Sequence, residues 1–228
     1  MSKIAVPFKK NSSFAVFGST SSGKTFWVYR FLTNLKYIYE DSAIPQKIVF
    51  AYSVYQSLYD KLKAELPDII FIKGLPSADQ IESFVTNHTL LILDDLAELI
   101  VNDLDISLLF TQGCHHKGFS IIKISQNIFQ KGAFARTISL NSSYLVVLKS
   151  VRDTQQIACL GVQVFGSGSK RLVEAYEDAT SYEYGYLIVD LLPATDKELR
   201  LRTLVFPDED MVIYTSSNFE SVEYQWKV

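Results

Sequence analysis

Residues 13–25 read Ser13-Phe14-Ala15-Val16-Phe17-Gly18-Ser19-Thr20-Ser21-Ser22-Gly23-Lys24-Thr25. Five residues of strand character run straight into Gly18–Thr25, which fits G-x-x-x-x-G-K-[ST]. Small side chains at Gly18, Ser19, Thr20, Ser21, Ser22 and Gly23 let backbone N–H groups curl around a phosphate. A helix opening at Lys24 adds the positive end of its dipole. In that setting Lys24 would reach the β- and γ-phosphates of a nucleotide, and Thr25 would place its hydroxyl on Mg²⁺. The helical expectation holds for Lys24–Glu40, where Phe26, Trp27, Phe31, Leu32, Leu35 and Ile38 fall at roughly helical spacing.

The next informative stretch is Leu90-Leu91-Ile92-Leu93-Asp94-Asp95. A near-continuous apolar run from Thr89 to Leu93 is how a strand buried on both faces reads. Acids at such a strand end hold Mg²⁺ in phosphate-loop enzymes. Asp94 is assigned that role, and Asp95 is assigned to orient and deprotonate the attacking water. The competing reading is a helix N-cap pair before Leu96–Ile100. A third strand, Phe119–Ser125, ends in Gln126-Asn127. Gln126 is placed to bond the γ-phosphate or the lytic water; turn chemistry is the alternative.

Between and after these stretches, strands are expected at Lys47–Ser53, Asp68–Lys73 and Ser143–Lys149. Helices are expected at Ser57–Glu65, Ser77–Asn87, Leu104–Phe110 and Asp153–Leu160, the last ending near Gly161. Gly166–Ser169 reads as a turn. Gly185–Leu191 and Arg202–Phe206, separated by Pro193, suggest a late β-hairpin or edge addition. The alternation gives an α/β fold with a mostly parallel central sheet flanked by helices.

The chain has 228 residues, 48% hydrophobic and 21% charged, which suits one globular core and excludes bulk disorder. Its formal charge is −3. Residues 207–228 carry five acids against Lys227, a net of −4, leaving +1 for residues 1–206. Residues 207–228 are therefore read as an acidic tail, and residues 1–206, which hold the Gly18–Thr25 loop, as the P-loop ATPase domain. A near-neutral body confines any nucleic-acid contact to a local surface, for which Lys117 and Lys131 are the candidates. Two cysteines, Cys114 and Cys159, form no disulfide framework and suit a reducing compartment. Neither a signal peptide nor a membrane span is expected. Cys114-His115-His116 lacks a second ligand cluster and is read as a loop or helix end rather than a metal site. Arg136 and Arg152 follow the polar strand end. In oligomeric ATPases an arginine from one subunit completes its neighbour's site; a surface salt bridge is the alternative.

Taken together, Gly18–Thr25, Leu91–Leu96 and His115–Asp153 make the chain resemble the FtsK/HerA superfamily of DNA-translocating ATPases. It looks most like the poxvirus-type genome-packaging ATPases of polinton (Maverick) and adintovirus elements. The similarity runs from about Phe14 to Pro207. Ser125–Phe129, Arg136–Asn141 and Lys149–Asp153 carry it most specifically, and Leu187–Pro207, with Arg200–Thr203, shares the look. The resemblance implies a P-loop NTPase with a RecA-like ASCE core. It implies a homo-oligomeric ring, pentamer or hexamer, that hydrolyses ATP with Mg²⁺ and drives double-stranded DNA into a preformed capsid. A capsid or portal-vertex protein is the implied partner. The implied place of work is inside the host cell, at the site of virus assembly or on the virion. Arg152 matches the trans-acting arginine better than Arg136. Asp95 stands where many relatives carry Glu, one methylene longer. Two other classes fit a phosphate-loop chain of this size: a small-molecule or nucleotide kinase, and a nucleotide-gated capsid scaffold without turnover. The arginines are few for a kinase lid, namely Arg30, Arg136, Arg152, Arg171, Arg200 and Arg202.

Overall fold

The computed structural model describes residues 6–40, 44–86, 88–114, 117–152, 154–215 and 221–224, the last four as backbone. The expected strand before the phosphate loop forms as β1 (Ser13–Phe17), and the loop opens α1 (Lys24–Thr33). The predicted helix to Glu40 breaks at Asn34, whose side-chain amide donates to the Arg30 carbonyl at 2.8 Å; α2 (Leu35–Ile38) resumes beyond it. There follow β2 (Lys47–Tyr52), α3 (Leu58–Glu65), β3 (Ile70–Lys73), α4 (Ala78–Ser83) and β4 (Thr89–Asp94). Ser77 caps α4 in a reciprocal box with Gln80. Two short helices, α5 (Ala97–Ile100) and α6 (Leu104–Leu108), lead to a π-helical turn at Leu109–Gly113 and then β5 (Phe119–Ser125).

After β5 come α7 (Ala135–Leu140), β6 (Tyr144–Leu148), α8 (Thr154–Phe165), α9 (Ser169–Ala179), β7 (Tyr186–Asp190) and β8 (Leu201–Thr203). Here the structure differs from expectation. Helix α8 runs through Gly161 instead of ending there. A Cβ at Gly161 would sit 2.8 Å from the Ser169 carbonyl, so the glycine serves the close approach of α9 rather than a helix stop. Asp153, the expected first residue of α8, lies outside the described residues, as does Asn87 at the expected end of α4. The chain beyond Phe206, read as an acidic tail, adds β9 (Met211–Tyr214) and β10 (Ser221–Tyr224) to the sheet. Asp208 and Glu209 pair with Arg30 on α1, and Glu209 also accepts from the Tyr186 hydroxyl. Part of the acidity thus binds the body of the domain.

The strand order is β10-β9-β8-β7-β6-β1-β5-β4-β2-β3. The six strands from β6 to β3 are parallel, and β7 to β10 extend the sheet antiparallel from β6. The late addition is therefore four strands rather than one hairpin. Alternation sorts the side chains. Phe14, Val16, Leu90, Ile92, Ile122 and Ile124 face α1, α2 and α3. Ala15, Phe17, Leu145 and Val147 face α8 and α9. Leu91, Leu93 and Ile121 face α4 to α7. Helices cover both faces, which is why the parallel strands read as continuous apolar runs. No helix among the described residues is long and apolar enough to cross a membrane.

Register places the functional ends together. Phe17 pairs with Ser125, and Asp94 pairs with Ile124. Gly18, Asp95 and Gln126 therefore leave the sheet at the same carboxyl edge, with β5 between β1 and β4. Ligands of open α/β sheets bind at this edge.

Candidate functional site

The loop after β1 takes conformations that its residues permit. Gly23 has φ 93°, where a side chain is strained, and Ser21 has φ 62°. The Ser22 N–H donates to the Ser19 carbonyl at 3.2 Å, and the Ser19 hydroxyl donates to the Lys149 carbonyl at 3.2 Å. Gly18 packs against Ser22 and Leu148 so closely that a Cβ would sit 2.4 Å from the Ser22 hydroxyl. The Lys24 ammonium curls back and donates to the carbonyls of Gly18 at 2.8 Å and Ser19 at 2.7 Å. Partial burial holds its pKa below the ordinary lysine value, opposed by the nearby charges of Asp94 and Asp95.

Asp94 is 3% exposed. Its Oδ2 accepts from the Thr25 hydroxyl at 3.2 Å, the Tyr59 hydroxyl at 2.8 Å and the Gln56 amide at 3.5 Å. Burial pushes its pKa above the usual aspartate range, and the bonds from Tyr59 and Thr25 oppose that shift. Sequence reading did not single out Tyr59 or Gln56. They reach Asp94 because β2 pairs with β4, which brings the start of α3 over its end.

Asp95 is exposed, with φ 56°, a left-handed backbone that aspartate tolerates better than most residues. One cleft of about 500 Å³ is lined by Thr20, Ser21, Gly23, Lys24, Thr25, Asp94, Asp95, Ser125 and Gln126, together with Phe26, Gln56, Leu58, Ile124 and Tyr184. The sequence-assigned loop, acids and amide therefore meet in one place. Thr25 and Asp94 present oxygen donors side by side. Mg²⁺ commonly takes one or two protein oxygens and completes its shell with water and phosphate, so this donor pair suits it.

Other assignments are not gathered there. Arg152 is exposed just past β6, and Arg136 is exposed on α7; neither lines this cleft. Lys131 lines a second cleft of about 730 Å³ that shares Asp95, Ser125 and Gln126 with the first. Lys117 borders a small cavity of about 110 Å³ with Leu109 and Gly113. The two lysines are thus on separate surfaces. Cys114 is buried, which pushes its thiol pKa to about 12, while His115 and His116 lie outside the described residues. Among the described residues no three His, Cys, Asp or Glu side chains group as metal ligands.

Lys123 is a charged group of the core that sequence reading did not single out. Lys123 lies mid-strand in β5, 3% exposed, and donates to the Gln130 amide oxygen at 2.7 Å. Burial alone lowers its pKa to about 8 from 10.5. Between those values the unfolded chain holds a proton that the folded chain has lost, so stability rises with pH across this window. Below it, the buried charge costs about 3 kcal/mol. Lys123→Met should raise stability near pH 7 by about 2 kcal/mol, after allowing about 1 kcal/mol for the lost hydrogen bond. The gain should shrink by pH 10, as urea denaturation of both proteins would show. An equal difference at both pH values would contradict the cause.

No family model and no curated protein matches the chain. Among solved structures, EssC (ATPases 2 and 3) from Geobacillus thermodenitrificans aligns with a TM-score of 0.49 and 14% identity, over 92% of this chain and 40% of that one. EccC (ATPases 2 and 3) from Thermomonospora curvata, in complex with a signal sequence peptide, aligns with a TM-score of 0.47 and 14% identity, over 79% and 38%. The chain spans about two fifths of the length of either structure.

Proposed function

We propose that the protein is a Mg²⁺-dependent P-loop ATPase of the FtsK/HerA class that drives double-stranded DNA into a viral capsid as a homo-oligomeric ring. The observation that supports it most is the convergence of the Gly18–Thr25 loop, Asp94, Asp95 and Gln126 on one cleft at the carboxyl edge of the sheet. In this reading the loop N–H groups and Lys24 bind the phosphates. Thr25 and Asp94 would hold the metal, which would offset phosphate charge. Asp95 takes the proton of the attacking water, and Gln126 orients that water. A neighbour supplies Arg152, or Arg136 in reserve. A capsid or portal-vertex protein receives the motor.

The two acids should separate by assay. Asp95→Asn should keep ATP and Mg²⁺ binding yet slow hydrolysis by about 10²–10⁴, the usual contribution of a general base. Asp94→Asn should weaken metal-dependent binding itself. Equal loss of nucleotide affinity in both would break the division of roles.

The DNA part is tested by binding. With a net charge of −3, the chain offers few phosphate contacts per subunit, supplied in this reading by loop lysines such as Lys117 and Lys131. Binding to duplexes of unrelated sequence should be equal and should weaken steeply with salt. Selection of one short sequence, or binding indifferent to salt, would count against a packaging motor.

A further inference from the structure

The phosphate-loop reading fixes the direction in which a nucleotide lies, and this inference rests on it. Asp94, Asp95 and Gln126, from β4 and β5, flank the loop on one side and mark the reacting end of the triphosphate. The nucleoside must then leave on the opposite flank, toward β6. A cleft of about 400 Å³ lies there, between loop residues Ser19–Ser22 and the turn Ser181–Tyr184 that precedes β7. Tyr184 lines both this cleft and the phosphate cleft.

Two exposed rings stand at that junction. Phe26, in the first turn of α1, is 43% exposed and Tyr184 is 50% exposed. Their centroids are 6.0 Å apart at 54°, and Phe26 is backed by Tyr29 in a stacked pair at 5.9 Å. Tyr184 lies directly on the loop. A Cβ on Gly23 would come within 2.6 Å of its ring, so that glycine makes room for the tyrosine as well as for its own backbone. Open aromatic faces beside a phosphate-binding loop suit a flat heteroaromatic ring, because every base presents a π-face to stack.

We propose that Tyr184 and Phe26 form the base platform of the site, holding the purine of a nucleoside triphosphate by stacking while the loop holds its phosphates. The platform discriminates a nucleotide from a bare polyphosphate.

The test compares ATP with inorganic tripolyphosphate by calorimetry, using wild type, Tyr184→Ala, Tyr184→Phe and Phe26→Ala. Tyr184→Ala should bind ATP about 5- to 150-fold more weakly, the range for one lost base–aromatic stack. It should bind tripolyphosphate as wild type does. Tyr184→Phe, which keeps the ring, should keep ATP affinity. Phe26→Ala should repeat the selective loss, and stands in if Tyr184→Ala fails to fold. Unchanged ATP affinity in both alanine variants overturns the platform and leaves the loop assignment intact. Equal loss of ATP and tripolyphosphate overturns it too, since the rings would then be shaping the loop. If wild type binds neither compound, the phosphate-loop reading itself fails and takes the platform with it.

Discussion

Lys24→Ala should abolish ATP turnover, with a fall in rate of 10²–10³ or more, on the order of what a lost transition-state donor costs. The Lys24 ammonium donates to two neutral loop carbonyls, Gly18 and Ser19, at 2.8 and 2.7 Å. Phosphate oxygens are charged acceptors at the same loop and form stronger bonds to such a donor. Its side chain is partly buried near the charges of Asp94 and Asp95, and in the proposed mechanism it would also offset the charge of the triphosphate. Removing it leaves the γ-phosphoryl charge opposite carboxylates. Phosphate release by Lys24→Ala at saturating ATP, checked beside its circular dichroism, measures this. Wild-type turnover in a folded variant would refute the site.

The second large effect is expected at Arg152. Lys24, Thr25, Asp94, Asp95 and Gln126 line one cleft, and in the proposed mechanism they would serve the phosphates, the metal and the attacking water. They provide one cation, whereas the charge spreading over the γ-phosphoryl oxygens calls for a second. Arginines supplied in trans contribute about 10³–10⁵ in rate. Arg152 is exposed beside Val151, which lines the cleft next to the loop and is 83% exposed. From there it can meet an adjacent copy in a ring. Arg152→Ala should bind ATP normally, assemble, and hydrolyse slowly by that factor. Mixing it with Lys24→Ala subunits should restore part of the activity, because an intact arginine would face an intact loop. Mixed rings that stay inactive would remove Arg152 from the role, and rescue by Arg136→Ala instead would transfer it. Undiminished turnover by a dilute monomer would dispense with a neighbour altogether.

The centre of the fold could be read from sequence because its signals are local. The G-x-x-x-x-G-K-T loop needs a strand before it and a helix after it, and β4 and β5 are largely apolar and buried on both faces. Their polar ends then fall at one edge through register alone. Partners brought in by topology were not legible. Tyr59 reaches Asp94 from 35 positions away, and only the β2–β4 pairing makes them neighbours. Tyr184 meets Gly23 from the far end of the domain. Lys123 reads as one polar position in an apolar strand, yet it is buried with its ammonium bonded to the Gln130 amide. Helix α9 carries its signal in the sequence itself. Leu172, Ala175, Tyr176 and Ala179 form its buried face at helical spacing, a signal present in the sequence but masked by the Gly-Ser turn before it. Beyond Phe206 the acids obscured the short strand Met211–Tyr214. Arg30, far upstream on α1, pairs with two of those acids.

Phosphate release from Mg²⁺-ATP with and without duplex DNA tests the proposed coupling of ATP hydrolysis to DNA. The wild-type chain should release phosphate measurably, and faster when duplex of any sequence is added. Release that duplex leaves unchanged, phosphate transferred to a small acceptor, or ATP bound without turnover would each contradict it.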